Sequence, residues 1–218
     1  FEVTLYPFLL MDVAGFPWRG RITASTDKTE ETATEINSFF DREHGYRNFI
    51  LHHAQIAHDA GGVDRLILGS ELRGLTTLRS SQNEFPAVIK LADLAANVKQ
   101  ILGPNTGLTY AADWTEYFGY HPDDHSGDVF FHLDELWAHP AISAIGIDAY
   151  FPLSDWRDND GHADEVNGEG PYDLNYLSSQ VEGGEGYDHF YASEADRDAQ
   201  NRSPITDGQA QKPWVYRY

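Results

Sequence analysis

The sequence predicts an α/β fold of the (β/α)₈ TIM-barrel-like class, with only part of the barrel in this chain. Three observations lead there. Apolar runs of strand length alternate with segments whose apolar residues recur three and four apart, the signature of βα units. The runs are near-continuously apolar, as expected of a parallel sheet covered on both faces. Each ends at its carboxyl edge in polar or aromatic residues, where barrel enzymes collect their chemistry. A doubly wound sheet is the other architecture with such a pattern, but no Gly-rich phosphate loop follows any strand.

The elements follow in order. "EVTLYPFLLMDV" reads as the first strand, ending near Asp12, followed by the turn-rich loop "AGFPWRGRITAS" and a helix over Asp27 to Phe40. Tyr46 to Ala60 is the next helix, with Tyr46, Phe49, Ile50, His53, Ala54 and Ala57 on one stripe; Gly61 and Gly62 end it. "VDRLILGSE" is the second strand, closing on Ser70 and Glu71. "PAVIKLADLAANVKQILG" opens a helix at Pro86, turns Val88, Leu91, Ala95, Val98 and Leu102 inward, and stops at Gly103. "TGLTYAADW" is the third strand, with Asp113 and Trp114 at its end. Val129 to Ala138 reads as a helix with Phe130, Leu133 and Trp137 as its apolar face, and "AISAIGIDAYFPL" as the fourth strand, carrying Asp148 and Tyr150. Tyr172 to Gln200 is partly helical in pattern, and "KPWVYRY" opens one more strand.

Composition limits the function classes. The 218 residues, 41% hydrophobic and 13% aromatic, suffice for one sizeable core, and no composition break or internal repeat divides them. The chain starts at Phe1 inside a predicted strand, without an initiator methionine or signal-type leader, and reads as a piece of a larger multidomain protein. No apolar run reaches the roughly 18 residues of a membrane span. A formal charge of −20 disfavours phosphate backbones and anionic lipid, so no nucleic-acid partner is expected. The absence of cysteine removes disulfides, thiolate nucleophiles and thiolate zinc sites.

The blocks "LYPFLLMDV", "PWRGRIT", "GYRNFILHHA", "VDRLILGSELRGLT", "GLTYAADWTEY", "IGIDAYFPLSDWRD", "YDLNYL", "GGEGYDHFYASEADRDAQNRSPITDG" and "KPWVYRY" carry a resemblance. In this order they look like the glycoside-hydrolase-like TIM-barrel domain of the gene transfer agent and phage tail baseplate multidomain protein. The resemblance implies a structural protein at the tail tip of a phage-like particle, assembled in the bacterial cytoplasm and extracellular once released. Its implied partners are other tail and baseplate proteins and a cell-envelope glycan. Relative to the family pattern, the connections around Ser25–Thr26 and Phe40–Asp41 are short.

In barrel glycosidases that resemble this chain, the acid/base glutamate ends strand four and the nucleophile ends strand seven. On that mapping about strands three to six are present, Glu71 matches the acid/base position, and the strand-seven glutamate would lie beyond Tyr218. Glycosidic cleavage needs one carboxyl group to protonate the leaving oxygen and another to attack or to activate water, so Glu71 has half of a pair here. Ser70 stands where many related glycosidases carry asparagine.

Each candidate has a plainer reading. Glu71 is either a catalytic or glycan-contacting carboxylate or a structural one paired with Arg73. Trp18, Trp114 and Tyr150 are either sugar-stacking faces or packing aromatics. Asp12, Asp113 and Asp148 bind sugar hydroxyls or orient Glu71, or else cap loops and form salt bridges. "HPDDH" (His121 to His125) and "DNDGHADE" (Asp158 to Glu165) bring oxygen and imidazole ligands together. The second would need an acid at Trp156 and a glutamate at Asn167 to be a calcium loop, so both read as polar loops. His52, His53 and His58 lie on different helix faces, and His53 reads as a core histidine. No metal or cofactor is expected. Two functions stand: a structural, glycan-contacting module of a particle, and an active glycoside hydrolase using Glu71.

Overall fold

A computed structural model describes residues 1–150, 154–165, 170–181 and 189–204. They fall into two compact units, Phe1–Ala149 and Tyr150–Tyr218.

The first unit holds β1 (Thr4–Leu5), α1 (Glu30–Asp41), α2 (Tyr46–Asp59), β2 (Arg65–Ser70), α3 (Arg73–Thr76), α4 (Pro86–Leu102), β3 (Gly107–Asp113), α5 (Asp134–Trp137) and β4 (Gly146–Asp148). The four strands form one parallel sheet in the order β1-β2-β3-β4. Spatial order equal to chain order means that every crossover steps the same way, as in a barrel; a doubly wound sheet reverses direction at a switch point. The sheet is open, consistent with an incomplete barrel.

The helices form where capping and periodicity agree. Thr29 caps α1 by accepting the Thr32 N–H at 3.2 Å. Pro86 opens α4 and Gly103, at φ +83°, closes it. Ile36 and Phe40 of α1, Tyr46, Ile50 and Ala54 of α2 and Leu91, Leu94 and Val98 of α4 are buried together with Leu66, Leu68 and Leu108 of the sheet. Each large aliphatic chain hidden this way contributes roughly 1.5–3 kcal/mol. The predicted stripe on α2 is buried at Tyr46, Ile50, Ala54 and Ala57, whereas Phe49 and His53 are half-buried. His53 is therefore not a core histidine: it lies edge-on to the Phe49 ring, with its Nδ1 2.8 Å from the Phe49 carbonyl oxygen.

Three predicted elements are shorter in the structure. The first strand is only Thr4–Leu5, because Pro7 has no N–H for a ladder and the chain turns back, Met11 N–H donating to Pro17 O at 3.0 Å. The helix predicted from Val129 begins at Asp134, since Phe130 instead pairs antiparallel with Tyr120 through bonds of 2.8 and 2.9 Å. The fourth strand keeps Gly146–Asp148. Phe40–Asp41 forms the last turn of α1 rather than a connection. "KPWVYRY" lies outside the described residues.

The second unit contains α6 (Leu174–Val181), β5 (His189–Phe190), α7 (Glu194–Ala199) and β6 (Ser203–Pro204), the two strands paired antiparallel. An ionic lattice holds much of it. Arg202 donates to both oxygens of the fully buried Asp164, at 2.8 and 2.6 Å, and to Asp155 at 3.0 Å. Arg157 pairs with Asp155 at 2.9 Å, Tyr176 OH donates to Asp164 at 3.1 Å, and Tyr191 OH donates to Asp155.

Candidate functional site at the carboxyl edge of the sheet

The site starts from an irregularity in β2. Ile67 pairs with Thr109 and Ser70 with Ala111, so three steps on β2 face two on β3. Such a bulge re-aims the side chains that follow it. Glu71 comes next at φ +48°, a left-handed conformation that is uncommon for glutamate, while its N–H still donates to Ala111 O at 2.9 Å. Gly69 makes room nearby: a Cβ there would fall 2.4 Å from Tyr46 OH, which donates to Leu68 O at 3.1 Å.

The turn at Trp18–Ile22 is pressed against this strand end. A Cβ on Gly74 of α3 would lie 2.4 Å from Ile22 O and 2.7 Å from Gly20 O, so only glycine permits the approach. The turn delivers two side chains to Glu71. Trp18 Nε1–H donates to Glu71 Oε2 at 2.5 Å, and Arg19 Nη2 lies 3.0 Å from the same oxygen. Arg19 also donates through Nε to Ser70 O at 3.0 Å and Ser70 Oγ at 2.6 Å. Its Nη2 reaches Tyr6 OH at 3.0 Å and Asp148 Oδ2 at 3.2 Å, and Tyr6 OH donates to Asp148 Oδ2 at 2.8 Å. The guanidinium carbon stands 4.1 Å from the centre of the Phe8 ring.

Glu71 is 4% exposed and Arg19 5% exposed, so this is a desolvated ion pair. Burial holds the Glu71 carboxyl above its ordinary range, with Asp148 and Asp113 adding to the rise; the Trp18 hydrogen bond and Arg19 oppose it. Burial also pushes the Tyr6 phenol up to about 12, so it stays a donor at neutral pH. One nitrogen of Arg19 touches both Glu71 Oε2 and Asp148 Oδ2, so those oxygens can be no more than about 6 Å apart. The Arg19 nitrogen stands between these two oxygens and is shared by them.

The expected candidates divide. Glu71, Trp18 and Asp148 come together around Arg19. Glu71 pairs with Arg19 rather than with Arg73, which is exposed. Asp113 is buried and turned to its own loop, accepting from Thr115 N at 2.9 Å and from Thr115 Oγ1. Trp114 is half-buried and Asp12 exposed. Tyr150 belongs to the second unit and is 70% exposed. Among the described residues, no group of three or more His, Cys, Asp or Glu is placed to hold a metal ion, and no helix is long and apolar enough to cross a membrane. Asp124 of "HPDDH" instead pairs with Lys28 at 3.1 Å and Arg79 at 3.3 Å.

Tyr6, Arg19 and Glu116 were not singled out in the sequence. Arg19 stands beside tryptophan in "PWRGRIT", but no local pattern ties it to a strand end 51 residues further on. Glu116 had a readable signal, since "DWTE" has the acid-x-x-Glu spacing of a capping box. Tyr6 had none.

No curated protein is similar enough to the chain to count as a match. The profile of one family, the GTA TIM-barrel-like domain, matches residues 44–218, a span that runs from α2 through β4 and includes the second unit. The sequential parallel sheet agrees with that match, and the chain belongs to the gene transfer agent TIM-barrel-like domain family.

Proposed function

We propose that this chain is the barrel portion of a structural protein at the tail tip of a gene transfer agent, and that the rim around Glu71 contacts a cell-envelope glycan without cleaving it. The family supports a particle component. The observation that carries the glycan-binding reading is the position of Arg19, whose Nη2 bridges Glu71 and Asp148 at 3.0 and 3.2 Å. A carboxylate pinned in this way by an arginine and an indole N–H is a fixed polar group, which suits hydroxyl recognition. The half-buried Trp18 ring packs over Gly20, where a Cβ would be 2.3 Å from it, with the Phe16 ring 6.1 Å away, and places aromatic surface beside polar groups, the combination that pyranose rings favour.

One observation favours turnover as a second reading: burial raises the Glu71 carboxyl, the direction a general acid requires. Incubating the full chain with purified envelope glycan separates the two. The binding reading expects retention on the glycan with no new reducing ends. Release that disappears in Glu71→Gln establishes the hydrolase instead, and a wild-type chain that is not retained at all contradicts both.

A further inference from the structure

Beneath the rim lies a second carboxyl group. Glu116 is 1% exposed, and among the described residues no lysine, arginine or histidine pairs with it. Three donors converge on it instead. Asp113 N–H donates to Oε2 at 3.0 Å, Tyr110 OH lies 3.0 and 3.1 Å from the two oxygens, and Thr76 Oγ1 donates to Oε1. The bond from Asp113, with Asp113 Oδ1 accepting Thr115 N–H, makes a capping box for the turn after β3. A capping box requires only that bond. The other two reach different elements: Thr76 is on α3, and Tyr110 OH accepts the Leu72 N–H at 2.7 Å.

Leu72 follows Glu71 directly, so this last bond fixes the peptide that leaves the left-handed residue. Tyr110, Leu72 and Thr76 are each no more than 1% exposed, and water does not compete for any of these bonds. Glu116 therefore gathers the backbone of Asp113 and the end of α3 directly, and the backbone beyond Glu71 through Tyr110.

We infer that Glu116, acting through Tyr110, is the positioning residue that sets the backbone turn of Glu71 and so aims its carboxylate at Trp18 and Arg19. This rests on Glu71 being the functional carboxylate of the rim. Its pattern is that of a buried polar network in which every donor is satisfied and a local backbone strain is over-determined by its surroundings.

The Trp18 indole N–H reports on Glu71 directly, because it donates to Glu71 Oε2. Its ¹H–¹⁵N resonance, identified by its loss in Trp18→Phe, is followed in the full chain through a pH titration. The dependence on Glu71 is checked with Glu71→Gln. Glu116→Gln and Tyr110→Phe are each expected to move the Trp18 resonance and shift its titration midpoint in the same direction. The double variant is expected to move it no further than Glu116→Gln alone, because the two residues act in series. Leu94→Ala, a core truncation away from the network, controls for general loosening and is expected to leave the resonance in place. If Glu116→Gln does not fold, Tyr110→Phe alone decides. Wild-type behaviour in Tyr110→Phe, additive shifts in the double variant, or an equal shift in Leu94→Ala would overturn the inference. None of these readings requires a glycan, so loss of glycan binding as a function would leave them unchanged, and their failure would leave the glycan result standing.

Discussion

Replacing Glu116 by glutamine should remove a pH-dependent loss of stability worth about 2 kcal/mol between about pH 5.5 and about pH 8. Burial pushes the Glu116 carboxyl up to about 7 from an ordinary 4.5, against the opposing bonds from Thr76, Asp113 and Tyr110. The folded protein thus holds this proton more tightly than the unfolded chain does. The stabilising contribution is complete below the unfolded value and is lost as pH rises through the folded one. Each unit of difference corresponds to about 1.4 kcal/mol, so the whole window is worth roughly 3 kcal/mol, of which about 2 kcal/mol falls in the accessible range above the isoelectric region. Glutamine does not titrate. It also turns an amide N–H₂ toward a group that donates, which costs about 1–3 kcal/mol at every pH. The assay is urea unfolding of wild type and variant at several pH values in that range. The readout is the pH dependence of the difference between them, which cancels contributions from His132 and from the acidic surface. The gap should narrow by about 2 kcal/mol toward high pH; a gap that is constant across the range would refute a buried, proton-binding Glu116.

Three further outcomes follow from the same structure. Arg19→Met leaves the buried Glu71 carboxylate without its cation, and unfolding should show a loss of about 3–5 kcal/mol that shrinks as pH falls and Glu71 protonates. Gly69→Ala drives a methyl group into Tyr46 OH and should cost about 1–3 kcal/mol in thermal or urea unfolding, while Gly62→Ala, at φ +96° with open space around it, meets only backbone strain and should cost less. Arg202→Met breaks the bonds to Asp164 and Asp155 in the second unit, and limited proteolysis should then cut between residues 154 and 204 at a rate at least several-fold above wild type.

The helices and the parallel sheet were legible because periodicity, caps and burial agree in α2, β2, α4 and β3, where one face of each element is pressed into a shared core. The first strand was overread because "LYPFLLMDV" is apolar for another reason. It forms the loop whose Tyr6 and Phe8 bracket Arg19, and Phe8 and Leu10 remain 52% and 58% exposed. Likewise "VFFHLDELW" has helical spacing, but Phe130 is committed to a backbone pair with Tyr120, a contact that no local pattern encodes. At the site, strand-end logic pointed to Glu71 and Asp148, which the fold brings together, and to Asp113, which is turned to its own loop; aromatic content pointed to Trp18. What it could not find was the cation. Arg19 lies 52 residues before Glu71 and 129 before Asp148, and only the close approach of Gly74 to the Gly20–Ile22 backbone brings the three together.

Binding of the full chain to purified bacterial envelope glycan, measured as an isotherm for wild type and for Trp18→Ala, tests the central claim most directly. Losing the stacking face and the hydrogen bond that aims Glu71 should weaken binding at least tenfold, about 1.4 kcal/mol, with no release of reducing sugar from either protein. Equal affinity of the two proteins, or reducing ends released by the wild type alone, would contradict the account.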